Sequence, residues 1–268
     1  MGYRFVRLHN GWQVLSYTGW SDTRCLHGLI TRGRPAGWDK HPDRPEDRAP
    51  DFARRSRLAF EQRLHELLVQ LDIEDWGVAA TRQVHGATVL WNPPVHVPQR
   101  PEADGMWTDR SEVLLVITVA DCVPIWIYDP ELPAVGIVHA GWRGTVRGIL
   151  LEALQVLEAH GSSLTRTEIV LGPAILKCCY AVGIDVIETV TRAYPEWAPY
   201  VLEQRGATWF FDLFGLNILQ ARMMGIRRVH IHPIRLCTYC NPQWFFSHRR
   251  GDTQRMLAFI GLRSPPVA

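Results

Sequence analysis

The stretch Ile117–Thr145, ITVADCVPIWIYDPELPAVGIVHAGWRGT, decides how the rest of the chain is read. It holds two apolar runs, Val123–Tyr128 and Val135–His139, rich in the β-branched and aromatic residues that favour strands. Between them Asp129-Pro130-Glu131-Leu132-Pro133 reads as a turn, because proline fixes φ and offers no N–H to a ladder. If the two runs pair antiparallel across that turn, their far ends meet. Those ends carry Cys122 and His139. A thiol beside an imidazole is half of a metal site or a nucleophile with its base.

Upstream, Val113–Val119 is a continuous apolar run that suits a strand buried on both faces, and it leads into Ala120-Asp121-Cys122. Earlier still, the strand-like segments Val78–Thr81 and Thr88–Trp91 flank Gln83-Val84-His85-Gly86. Gly86 permits a sharp turn beside the imidazole, so His85 is a candidate third partner for the Cys–His pair. Downstream, Ala140-Gly141-Trp142-Arg143-Gly144 reads as a glycine-bracketed turn with Thr145 as the N-cap of a helix. That helix is expected to run to about Ala159 with Val146, Ile149, Leu150, Ala153, Leu154 and Leu157 on one face, and to end at Gly161. The order strand, histidine, turn, helix sets Arg143 and helix N–H groups beside His139, where they would attract an anion such as phosphate. The Gly-Lys-Ser/Thr element of a Walker loop is absent.

Farther out, Trp12–Tyr17 and His27–Thr31 read as short strands, and Arg32–Pro50, rich in Pro, Asp and Arg, as a long loop that suits a lid or mobile insertion. A helix follows with Leu64, Leu67, Leu68 and Leu71 on one face. Arg54, Arg55 and Arg57 lie near its start, where positive charge opposes the macrodipole, so they serve either solvent or an anion. Ile169–Leu171 reads as a strand, residues from about Asp185 as a helix that stops before Pro195, and Asp212 as the cap of a helix bearing Leu213, Leu216, Leu219 and Met223 that Gly225 ends. Val229–Ile234 is expected to be a strand with His230 and His232 on one side. We expect one domain over residues 1–268, of mixed α/β class, with strands too short and irregular for a doubly wound sheet.

The net charge of +2 gives no argument for a nucleic acid or an anionic membrane as partner. Of 29 basic residues only Lys40 and Lys177 are lysines, and the remaining 27 are arginines; this reads as compositional bias, with arginines near a site able to clamp an anion. No apolar run reaches the roughly 18 residues of a membrane span, and Met1–Leu8 lacks the core of a secretory signal. The six cysteines are therefore expected to be reduced thiols of a cytoplasmic protein.

Four readings of the thiols and imidazoles compete. His85, Cys122 and His139 could hold zinc with an open fourth position, as catalytic zinc sites do. Cys122 and His139 could instead be a metal-free dyad for acyl or amide chemistry. Cys178, Cys179, Cys237 and Cys240 could form a structural four-cysteine site, of which only the Cys237–Cys240 half has standard spacing. Or each cysteine is a small buried hydrophobe. Spacing leaves the first two equally open.

Several motifs add to this. They are QVHG at Gln83–Gly86, ADG at Ala103–Gly105, TVADCVP at Thr118–Pro124 and VGIVHAGWRGT at Val135–Thr145. GPAILKCCYAVG at Gly172–Gly183, FDL with Asn217, and CTYCNPQWFFSHRR at Cys237–Arg250 follow in order. In these the sequence resembles the YfiH-type family, whose members carry names such as purine nucleoside phosphorylase, laccase-domain protein and polyphenol oxidase. The resemblance implies an α/β/β/α layered fold and a zinc held by His85, Cys122 and His139. It further implies phosphorolysis of adenosine, inosine and methylthioadenosine, with adenosine deamination. The substrates would be a purine nucleoside and phosphate, and the protein a monomer or homodimer. Arg143 and Arg55 would then hold phosphate, and Arg249 or His248 would shape the pocket. The chain departs from the family at Arg54-Arg55, where an Asn-Arg pair is usual, and at Thr253-Gln254-Arg255-Met256, where Thr-Gly-Arg-Met is usual. The alternatives are a copper-dependent laccase-like oxidase, since thiolate and imidazole also suit copper, and a metal-independent cysteine amidase acting on a cell-wall precursor. For the oxidase, His230-Ile231-His232 is the one His-x-His pair.

Overall fold

In the computed structural model, which describes residues 2–21, 23–33 and 52–264, the hairpin expected at Ile117–Thr145 lies at the middle of the molecule. Strands β1 (Tyr3–Arg7), β2 (Gln13–Tyr17) and β3 (Cys25–Ile30) come first, then helix α1 (Phe52–Leu71). Strands β4 (Gly77–Ala80), β5 (Val89–Trp91), β6 (Gly105–Thr108), β7 (Val113–Val119), β8 (Val123–Asp129) and β9 (Ala134–Ala140) follow. Helices α2 (Trp142–Val146) and α3 (Ile149–Ala159) lead to β10 (Glu168–Leu171), β11 (Ala181–Val182) and α4 (Ile184–Ala193). The chain continues through α5 (Ala198–Val201), β12 (Leu202–Arg205), β13 (Thr208–Phe211) and α6 (Leu213–Met223), and finishes with β14 (Ile231–Pro233) and β15 (Met256–Leu262).

One six-stranded sheet has the order β1-β2-β3-β15-β7-β4, a second the order β14-β10-β8-β9-β6-β5, and a small third sheet is β11-β13-β12. Both large sheets are mixed: β4 runs parallel to β7, β5 to β6 and β10 to β14, while the other pairs are antiparallel. Side chains that alternate along each strand sort into layers. Leu115 and Ile117 of β7, Ala258 and Ile260 of β15, Trp126 of β8 and Val135 and Ile137 of β9 fill the space between the two large sheets. On the outer face of the first sheet, Leu114, Val116, Leu257 and Phe259 meet Leu67 and Leu68 of α1. On the outer face of the second, Ile125, Ile127 and Val138 meet Leu150, Leu154 and Leu157 of α3 together with Leu213 and Leu216 of α6. The layers are therefore α/β/β/α, and the central strands are apolar throughout because both of their faces are buried.

Strands β8 and β9 pair antiparallel with Pro124 opposite His139 and Asp129 opposite Ala134. The turn is closed by Asp129, whose Oδ1 accepts the N–H groups of Glu131 at 2.8 Å and Leu132 at 3.2 Å. Asp212 caps α6 by accepting the Gly215 N–H at 2.8 Å.

Three local expectations need correction. Thr145 is not an N-cap: the helical backbone starts at Trp142, Thr145 is buried inside α2, and Gly148 at φ +83° breaks α2 from α3. The expected anion-binding terminus after Arg143 thus belongs to a helix of 5 residues. Val229–Ile234 is only partly a strand, since residues 228–230 form a 3₁₀ turn and β14 starts at Ile231. Strands β1, β6 and β15 and the third sheet had no counterpart in the sequence reading. The loop expected at Arg32–Pro50 lies, from residue 34 onward, outside the described residues. Among the described residues no helix is long and apolar enough to cross a membrane.

Candidate metal centre

Three loops meet where β8 begins and β9 ends. Cys122 directly precedes β8, His139 is the penultimate residue of β9, and His85 sits in the loop between β4 and β5. One donor atom from each of His85, Cys122 and His139 lies within 4.8 Å of the others. The rings of His85 and His139 stand edge to face, 4.9 Å apart at 82°.

Each arm of the site is fixed by a named contact. Gln83 pins the His85 loop to the end of β7, donating to Thr118 O at 2.8 Å and accepting from Thr118 N at 2.8 Å. His85 itself has φ 57°, a left-handed conformation uncommon outside glycine. That conformation aims three successive N–H groups, of Val84, His85 and Gly86, at the carboxylate of Asp104, at 3.1, 3.0 and 2.7 Å. Asp104 is fully buried, and its Oδ1 also lies 2.8 Å from His139 Nδ1. The Asp104 carbonyl accepts the His139 N–H at 2.7 Å. Asp104 therefore orients one imidazole through its ring and the other through its backbone. His139 Nε2 is left facing the centre.

The electrostatics follow from this packing. Burial pushes the Asp104 carboxyl up, but the His139 hydrogen bond and the Gly86 and Val84 N–H groups outweigh it and hold the group below the usual range. Burial also raises the Cys122 thiol, and the opposing charge and hydrogen bonds of His139 and His85 bring it down to about 6. His139 shows the mirror image: burial lowers it, while the Cys122 thiolate and the Asp104 hydrogen bond raise it to about 9. Both shifts favour a thiolate facing an imidazolium.

The donor set fits a metal ion. A thiolate and two imidazoles suit zinc or copper, and a carboxylate behind a ligating histidine is the usual supporting partner. Gly141 keeps one side clear, since a Cβ there would lie 3.0 Å from Cys122 Sγ and 3.2 Å from His85 Cδ2. The same Cys122–His139–Asp104 line also has the form of a cysteine-based triad.

Of the other residues singled out in the sequence, Arg143 is exposed beside the centre with its guanidinium 4.4 Å over the Trp142 ring. Arg249 stacks 5.1 Å over Tyr180 and donates to Ala181 O at 2.6 Å. Arg55 lies in α1, and its side chain is outside the described residues. Arg57 pairs with Glu61 at 2.7 Å along the same helix, which is a solvated face. His230 and His232 do not form a second histidine site: His232 stacks on Tyr17 and lies 3.5 Å from Glu168. Among the described residues the only other donor group of metal-binding kind is Cys178, Cys179, Cys237 and Cys240.

Asp121, next to Cys122, is turned away and fully engaged. It accepts from Thr238 Oγ1 at 2.5 Å, Ser247 Oγ at 3.0 Å and Arg249 N at 2.7 Å. Two further residues belong to the site and were not singled out from the sequence. One is Asp104. The other is Tyr180, whose phenol is pushed up first by burial and then by the Cys122 charge, with Arg249 and Arg143 opposing. Both sit inside motifs already noted, ADG and GPAILKCCYAVG, which were the available signal.

Comparison with known proteins agrees with this architecture. Residues 56–263 match the family profile described as multi-copper polyphenol oxidoreductase laccase. A purine nucleoside phosphorylase, YlmD, of Geobacillus stearothermophilus is 38% identical over 167 residues, covering 61% of this chain and 61% of that protein. The matching protein of Bacillus subtilis is 40% identical over 60% of this chain and 59% of its own. These alignments thus span about three-fifths of both relatives. A purine nucleoside phosphorylase of Deinococcus radiodurans is 34% identical over 88% of this chain and 86% of its own. The crystal structure of YlmD from G. stearothermophilus superposes with a TM-score of 0.81 and 30% identity, covering 97% of this chain and 99% of that one. The fold, the donor set and the match over residues 56–263 lead to one conclusion: the chain belongs to the multi-copper polyphenol oxidoreductase laccase family, of which YfiH and YlmD are structural representatives.

Proposed function

We propose that the whole chain acts as one domain catalysing phosphorolysis of purine nucleosides (adenosine, inosine and methylthioadenosine), with adenosine deamination at the same centre, and that it depends on zinc. The observation that carries this reading is the convergence of His85, Cys122 and His139 within 4.8 Å, backed by Asp104. The names of the relatives from Geobacillus and Deinococcus support the substrate class. When bound, zinc supplies Lewis acidity and charge stabilisation in a partly enclosed site. In phosphorolysis a phosphate oxygen forms a bond to C1′ of the ribose, the glycosidic bond breaks, and its electron pair leaves with the purine, which takes up a proton. Arg143 would hold the phosphate, a role supported by its guanidinium contacting only the Trp142 ring among the described residues. Arg249 and the neutral phenol of Tyr180 line the same side and would orient the nucleoside. Asp121 is not the proton source, since both its oxygens are occupied.

A second reading has an observation of its own: the Cys122–His139–Asp104 line could work as a metal-free nucleophile, base and orienting acid. One experiment separates the two. Purified protein is incubated with adenosine and phosphate, before and after chelation and zinc re-addition, beside His139→Ala. Loss on chelation, recovery with zinc and an inactive variant are expected. Undiminished ribose-1-phosphate and inosine from His139→Ala would sink the proposal, and chelator-resistant activity abolished by alkylating Cys122 would favour the triad. Copper in excess of zinc, with oxygen-dependent phenol oxidation, would favour a laccase-like oxidase.

A further inference from the structure

Cys178, Cys179, Cys237 and Cys240 come from two segments far apart in sequence, yet their four sulfurs lie within 4.8 Å of one another. Cys240 Sγ is 3.2 Å from Cys179 Sγ and 3.7 Å from Cys178 Sγ. Sulfurs at the corners of a tetrahedron with metal–sulfur bonds of about 2.3 Å are about 3.8 Å apart, so the cluster has the size that encloses a single ion. We propose that these four cysteines bind a second, structural zinc, separate from the centre at His85, Cys122 and His139.

The surrounding backbone is built for that role. Cys237 and Cys240 have the two-residue spacing of a zinc-binding turn, and the Asn241 N–H donates to Cys237 O at 3.2 Å across that turn. Leu176 O accepts the N–H groups of Cys179 at 2.9 Å and Tyr180 at 3.0 Å, and this tight turn presents Cys178 and Cys179 side by side. The two segments are also stitched together: Thr238 N donates to Ala174 O at 3.0 Å and Ala174 N to Leu236 O at 3.3 Å. Cys237 is buried while Cys178 and Cys240 are exposed, so an ion can enter from solvent without the fold opening.

The position explains what such an ion would do. One segment continues directly into Tyr180, which underlies Arg249. The other carries Thr238, which together with Ser247 and Arg249 holds Asp121 beside Cys122. A zinc bridging the two would fasten the rim of the catalytic centre from outside. It would take no part in the reaction.

The test counts metal and maps thiols in the full-length protein. Zinc per chain is measured for wild type, His139→Ala, Cys237→Ser and Cys240→Ser. Each cysteine variant is expected to lose one zinc equivalent that His139→Ala keeps, and His139→Ala the other. Because a cysteine variant could misfold, wild type is also alkylated with and without chelation, and the modified peptides are identified by mass. Cys178, Cys179 and Cys240 should be protected in the zinc-loaded protein and become reactive once it is stripped. Equal reactivity in both states would overturn the proposal. So would full zinc content in Cys240→Ser, or a Cys179–Cys240 disulfide in freshly purified wild type. None of these readouts depends on nucleoside turnover, so the outcome stands apart from the proposed activity.

Discussion

Asp104 lies outside the proposed ligand set, yet much of the centre rests on it. Its two oxygens accept from three backbone N–H groups and lie against the ring of His139, so they set the position of both histidines. Asp104→Asn keeps the shape but exchanges one acceptor oxygen for a donor, which must face either a backbone N–H or the imidazole. Zinc affinity is expected to fall about 10–100-fold, the usual cost of losing a supporting partner, as read by competition with a coloured chelator. An affinity equal to wild type would show that the histidines are positioned without it. The thiol gives a second prediction at this scale. In metal-stripped protein the Cys122 alkylation rate should rise through about pH 6, where the thiolate forms, rather than near the ordinary value of 9.0. His139→Ala removes the stabilising cation but leaves the burial, so the midpoint should move up. Metal binding has the same sign as simple thiol competition but a different window: between about 6 and about 9 the proton displaced comes from His139 rather than Cys122, and affinity should climb with pH up to about 9. Cys122 and His139 were legible from sequence because a short turn joins their strands. Asp104 was not, because it lies 35 residues from the ring it orients and a lone Asp before a glycine most often signals a turn.

Elements were legible where the signal is local. The β8–β9 hairpin announces itself through two apolar runs and a proline turn, and its register puts Pro124 opposite His139. The break between α2 and α3 escapes the same kind of reading. Val146, Ile149, Leu150 and Ala153 keep one apolar face across it, so periodicity runs on while the backbone turns at Gly148. Strand β15 is as apolar as β7, but its place between β3 and β7 depends on pairings with residues far away in sequence, which no window along the chain contains. The third sheet is likewise short pieces held by tertiary contact. Gly148 offers the test. At φ +83° a side chain is disfavoured, and a Cβ would meet Leu151 Cδ1 at 3.3 Å. Gly148→Ala should therefore lower stability by about 1–2 kcal/mol, measured by urea unfolding, with zinc content unchanged because α2 itself still starts at Trp142. A neutral effect would mean that α2 and α3 can join into one helix, as the sequence pattern alone suggests.

At the scale of the molecule, the centre is a product of how two sheets stack. The proposed ligands come from the ends of β8 and β9 and from a loop tied to β7 through Gln83, so β7 in one sheet and β8–β9 in the other must hold a fixed separation. Trp126 is the side chain best placed to set it. It leaves β8 toward the first sheet, is 1% exposed, and its indole N–H donates to the carbonyl of Phe259 in β15 at 3.0 Å. On its other side the ring fills the space beside Gly172, where an added Cβ would come within 2.6 Å of it. Trp126→Ala removes a large ring that neighbouring strands cannot close around, and should cost about 3–5 kcal/mol. Trp126→Phe keeps most of the apolar area and loses the indole hydrogen bond, worth about 1 kcal/mol, plus a smaller void. The two variants, compared by urea unfolding, should therefore fall in that order, and zinc affinity should drop in Trp126→Ala while staying near wild type in Trp126→Phe. If Trp126→Ala unfolds within about 1 kcal/mol of wild type, the sheets are not held by this contact, and the spacing of the metal ligands must be set by the loops instead.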